Sequence, residues 1–220
     1  MTHEIEARRR GRPPKKHEAA VEPRMALIHA GVAAMTEFGY TGVGIDYILK
    51  RTSIPKGSFY HYFGSKEEFG LAVLDEYSRY FLSKINMHLS RPVGTVEERF
   101  LSFSLDAAGG MMRHDFRRGC LVGNLAQETG LLPEVYRGRL TEIFDEWERC
   151  TAACLEEGKR SGEVPPHLDS RKLAAFFWTG WEGAVARAKL MSSAEPLSLF
   201  MAQYLQIVLI SGPRRGNELV

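Results

Sequence analysis

The stretch "SIPKGSFYHYFGSKEEF", residues 53–69, decides how the rest of the chain is read. It holds five aromatic rings and a histidine, and Phe59, Tyr60, His61, Tyr62 and Phe63 are consecutive. On a helix Phe59 and Phe63 lie four apart and share a face, so those two rings close inward. Ser58, Tyr60, His61 and Tyr62 then point elsewhere, with Lys56 at the helix start, because one helix face cannot bury every ring. Gly57 and Ser58 are small enough to let another surface come close.

Working outward, Pro55 suits the first turn of this helix and Gly64 breaks it. Ser65 with Glu68 three residues later reads as a capping box opening a fourth helix, which continues to Arg91-Pro92. Upstream, "VGIDYILKRTS" places Ile45, Ile48 and Leu49 at helical spacing. Before it, "PRMALIHAGVAAMTEFGY" starts with Pro23, carries an apolar stripe and stops at Gly39. Three short helices, the last neutral or basic and rich in hydroxyls, are how a helix-turn-helix enters a DNA major groove. The hydroxyls, His61, the amides opening the fourth helix and Lys66 beside them are suited to phosphates. The competing reading is a core corner with half-buried tyrosines. Against it stand the two preceding helices, the lack of acids from 47 to 66 and a basic arm upstream.

That arm, "RRRGRPPKK" at residues 8–16, has six basic side chains and no acid. Residues 1–70 carry 11 Lys/Arg against 8 Asp/Glu, a net of +3, and the other 150 carry 18 against 19, a net of −1. Positive charge is thus gathered at the front, as for a chain whose one end meets a polyanion. Polar composition and Pro13-Pro14 make residues 1–22 a disordered arm. It is read either as a solvated tail or as a minor-groove arm built on Arg10 and Arg12. Phosphate contact without sequence readout is the expectation.

Beyond the fourth helix, helical stretches fit about 95–114, 123–130, 133–160, 169–191 and 196–210, and no window alternates as a strand does. The fold class is all-α. The 220 residues, 44% hydrophobic and 25% charged, have the balance of a soluble domain or two. No apolar run is long enough for a membrane span, and no secretory signal opens the chain. The cytoplasm, on DNA, is the expected location. Three cysteines (Cys120, Cys150, Cys154) are too few for a disulfide framework.

"TGVGIDYILKRTSIPKGSFYHYFGSKEEF" resembles the DNA-binding domain of TetR-type transcriptional repressors, over about residues 23–80 with the helix-turn-helix at about 44–63. The resemblance implies an all-helical homodimer on a palindromic DNA operator, with residues 81–220 forming a ligand-binding and dimerisation domain. Carried over by position, Lys56, Gly57, Ser58 and Tyr60 approach bases or flanking phosphates, while Thr41, His61, Tyr62 and Lys66 grip the backbone. The last two long helices, 171–191 and 196–210, would form the dimer interface. A dimer is needed on separate grounds, because paired recognition helices about 34 Å apart read a palindrome that one cannot.

In the second half, "MMRHDFRRGCLVGNLAQETG" is similar to the family branch that responds to small electrophiles and acrylate-type compounds, in which a cysteine at the place of Cys120 is linked to sensing. Cys120 reads as the start of a helix beside Arg117 and Arg118, an arrangement that lowers a thiol's pKa. It reads equally as a small buried hydrophobe, or as a wall of a pocket that binds reversibly. Asn124, Trp178 and Trp181 join it as candidate effector contacts. Gly180, Gly183 and Ala184 allow close helix approach. Cys150 and Cys154 share a helix face without a histidine pair to complete a metal site. No cofactor loop, nucleophile elbow or zinc motif occurs, so a cysteine-dependent enzyme is the distant alternative.

Overall fold

The computed structural model describes residues 22–209, so the arm with Arg10 and Arg12 lies outside the described residues. Among the described residues nine helices and no strand form an all-α fold: α1 (Pro23–Phe38), α2 (Ile45–Thr52), α3 (Lys56–Tyr62), α4 (Lys66–Leu89), α5 (Val96–Met112), α6 (Leu121–Gln127), α7 (Val135–Ser161), α8 (Ser170–Met191) and α9 (Glu195–Val208). None of them is long and apolar enough to cross a membrane.

The three short helices pack as their spacing implies. Phe59 and Phe63 are buried with Phe69 of α4, their ring centroids 5.1–5.5 Å apart. Leu27, Ile28 and Ile48 complete this small core. α1 stops at Gly39, whose φ of 75° is one that residues with a side chain rarely adopt. Ser53, at φ 55°, makes the equally left-handed corner between α2 and α3. At α4 the Glu68 N–H donates to Ser65 Oγ at 3.1 Å. The carboxylate of Glu68 accepts from the Gly64 N–H rather than that of Ser65, one residue earlier than a regular capping box. A complete box, Thr95 with Glu98, opens α5.

α4 runs 24 residues and belongs to both halves. Beyond its first turns it enters an aromatic core in which Phe81 and Trp147 are 4.5 Å apart and Trp147 and Trp178 4.8 Å. The Trp178 Nε1–H donates to Thr151 Oγ1 at 3.0 Å, so the buried indole has its partner. Gly180 is needed for packing, because a Cβ there would overlap the Phe200 ring; Gly183 meets nothing within 4 Å and has no such role within the chain. α6 begins at Leu121, two residues before the sequence expectation, because Cys120 caps it.

Candidate nucleic-acid interface and effector cavity

On α3, Lys56, Gly57 and His61 are exposed and Tyr60 is 49% exposed, while Ser58 and Tyr62 are partly buried. Tyr62 leans against the core and so does not point fully outward. A Cβ on Gly57 would meet nothing within 4 Å. A glycine inside a helix costs about 0.5–1 kcal/mol relative to alanine, and the chain's own packing gives no reason for it. Lys56 Nζ lies 3.4 Å from Asp46, both exposed, a pairing worth little. Lys66 sits 4.4 Å over the Tyr40 ring; burial lowers its pKa, opposed by the Glu128 carboxylate. One of the amides opening α4 that the sequence offered to phosphate, that of Glu68, is already bonded within the chain.

Thr41, exposed, is held from behind. The Glu128 carboxylate accepts the Thr41 N–H at 2.9 Å and the Tyr40 N–H at 3.0 Å. Nearby, Asn124 Nδ2 donates to the Thr36 carbonyl at 3.0 Å and Lys189 Nζ to the Glu37 carbonyl at 2.9 Å. The end of α1 and the turn after it are thereby tied to α6 and α8. Asn124 is part of this joint rather than of the cavity.

The cavity, about 420 Å³, opens between the two halves. His29, Val32, Ala33 and Thr36 of α1 form one wall; Tyr77 and Phe81 of α4, Phe103 of α5, Cys120 and Trp181 form much of the rest, and Glu76, Lys84, Asp106, Arg113, His114 and Arg118 add charged or titratable groups to the lining. Trp178 and Arg117 stand outside it. Arg117 and Arg118 reach Glu37 at 3.5 and 3.8 Å, so their charge is shared with a carboxylate.

The expectation of an acidic thiol is overturned. Cys120 is 5% exposed, and burial, with the Glu182 carboxylate next, pushes its pKa well up. The opposing influences are the Gly123 N–H, donating to Sγ at 3.5 Å at the start of a seven-residue helix, and the Tyr77 hydroxyl. Desolvation wins because two such hydrogen bonds cannot replace the water a thiolate needs. Sequence reasoning also missed Glu182. Its Oε1 is buried without a hydrogen-bond partner, and burial raises its pKa from 4.5 to about 7. Among the described residues no three His, Cys, Asp or Glu gather as a metal site.

Three short helices presenting an open α3, carried on a larger helical body with a cavity at the joint, define a helix-turn-helix transcriptional regulator. The chain belongs to the TetR family. The family model described as "Bacterial regulatory proteins, tetR family" matches residues 27–73, and "Tetracyclin repressor-like, C-terminal domain" matches residues 97–204. The transcriptional regulator AcuR of Cereibacter sphaeroides is 44% identical, with 87% of each chain covered. The HTH-type transcriptional repressor NemR of Escherichia coli is 29% identical over 85% of this chain and 94% of its own. A crystal structure of a regulatory protein TetR from Rhodobacter sphaeroides superposes with a TM-score of 0.83 at 42% identity, covering 85% of this chain and 99% of that one.

Proposed function

We propose that the chain is a ligand-released repressor. Two copies, joined through α8 and α9, hold their α3 helices on a palindromic operator and let go when a small electrophile is captured at Cys120. The observation that carries this reading is the cavity, one wall of which belongs to α1 of the helix-turn-helix unit and another to Cys120. An effector seated there presses directly on the DNA-reading half. Exposed apolar side chains on α8 and α9, Leu190 at 81% and Leu199 at 63%, support a second copy as their cover.

In this reading Lys56, Gly57, Ser58 and Tyr60 approach bases or the phosphates beside them. Thr41, His61, Tyr62 and Lys66 hold the backbone, and the unexplained Gly57 supports a close approach at the start of α3. To empty a nearly full operator the effector must prefer the released state by about 5.5 kcal/mol, which a covalent bond supplies readily. The working place is the cytoplasm, on DNA.

A second reading, reversible binding in the same cavity, is favoured by the protonated state of the buried thiol. Operator DNA selected from a random pool, followed by release measured with an electrophile, separates the two. Release lost in Cys120→Ser supports capture at the thiol; release unchanged in that variant supports reversible binding. Failure of the chain to select any palindrome overturns both.

A further inference from the structure

Cys120 does not stand alone at the cavity. The Tyr77 hydroxyl on α4 lines the same space and interacts with the sulfur, and the Glu182 carboxyl approaches the sulfur from α8. A Cβ on Gly123 would overlap the Glu182 Oε2, so glycine at the first turn of α6 leaves room for the carboxylate where it stands. Its Oε1 is sealed from water and accepts no hydrogen bond, although the residue as a whole is partly exposed. A buried carboxyl with an unmet oxygen beside a thiol that burial keeps protonated is placed to accept that thiol's proton.

We propose that the Glu182 carboxylate is the proton acceptor that makes the Cys120 thiol a nucleophile toward a neutral α,β-unsaturated carbonyl compound seated in the cavity. The inference rests on the reading of Cys120 as the point of capture. In the step, the Sγ–H proton passes to the Glu182 carboxylate as sulfur bonds to the β-carbon. The alkene π electrons move onto the carbonyl as an enolate, which water protonates at the α-carbon while Glu182 gives its proton back to solvent. Net, S–H adds across the double bond, with no oxidant or reductant. Tyr77 donates to the sulfur as negative charge develops there.

The arrangement also sets selectivity. At rest the thiol is neutral and enclosed, so an oxidant or electrophile outside meets no thiolate. Only a molecule small enough to lie against Phe81, Phe103 and Trp181 meets the sulfur, with Glu182 behind it, outside the cavity lining. A proton acceptor works best with a pKa near the ambient pH, and burial holds this carboxyl at about 7. The titratable groups facing it are Cys120, before α6, and Tyr77 of α4.

The test uses the full chain with methyl vinyl ketone as probe and peptide mass mapping to separate Cys120 from Cys150 and Cys154. Capture at Cys120 is expected to accelerate with pH up to an inflection near 7. In Glu182→Gln the rate at pH 7.5 is expected to fall at least about tenfold and the inflection to vanish. Glu182→Asp keeps the acid and is expected to keep an inflection at reduced rate, which a merely structural role for the side chain would not give. Gly123→Ala, displacing the carboxylate, is expected to slow capture as well. An adduct forming equally fast and with the same inflection in Glu182→Gln overturns the proposal and leaves the thiol reading intact. No Cys120 adduct in the unaltered chain overturns both.

Discussion

Glu128 is the place where a single substitution should uncouple the two halves. Its carboxylate accepts two backbone N–H groups, from Tyr40 and Thr41, at 3.0 and 2.9 Å. These close the turn that leaves α1, just ahead of the α2–α3 pair. Hydrogen bonds to a charged group are worth about 1.5–3 kcal/mol each when buried, but the Thr41 amide is exposed and water replaces much of its bond. The Tyr40 amide is only partly buried, so the pair together is worth about 2 kcal/mol. Glu128→Ala removes both. Glu128→Gln keeps one acceptor and turns an NH2 toward the other donor, for a loss of about 1 kcal/mol. If the clamp is made in the DNA-competent arrangement and broken in the released one, these losses appear as weaker operator binding, by up to about 30-fold for alanine and 5-fold for glutamine. Fluorescence anisotropy with the selected operator at fixed salt reads the affinity, and thermal unfolding of the same samples reads stability. Both variants binding within twofold of the parent while unfolding earlier would refute the coupling and leave Glu128 a plain fastener.

Gly57→Ala should stabilise α3 by up to about 1 kcal/mol, since nothing occupies the site of the new Cβ, while weakening operator affinity; a melt and a binding isotherm on one preparation check the opposed signs. Because Glu182 binds its proton more tightly folded than unfolded, stability falls as pH rises from about 4.5 to about 7 and is level above that. Glu182→Gln should therefore unfold at a higher temperature than the parent at pH 8 and at about the same temperature at pH 4, by up to roughly 3 kcal/mol, as melts at the two pH values would show. Trp178→Ala, which empties the centre of the aromatic core and orphans the Thr151 hydroxyl as acceptor, should destabilise by about 3–5 kcal/mol in urea unfolding.

What the sequence made legible was local. The inward pair Phe59 and Phe63, the stop at Gly39 and the Ser65 cap depend on residues three to five apart, and the structure keeps each of them. The thiol's acidity was misread because it depends on groups that spacing does not join. Arg117 and Arg118 adjoin Cys120 along the chain, yet their charges turn to Glu37, about eighty residues earlier. Glu182, sixty-two residues later, takes their place beside the sulfur and reverses the sign of the local field. One clue to it was present in "FFWTGWEGAVA". Glu182 is the single acid there, four residues after Trp178 and three before Val185, both of which face inward, so its carboxyl had to lie at the edge of the core. An acid carried to that depth with no cation at helical spacing has only two stable outcomes, a partner from elsewhere in the fold or a proton of its own. This carboxyl sits between the two, poised near neutrality beside a thiol whose own pKa burial holds well above it, so the proton rests on sulfur until a bond to carbon draws it off.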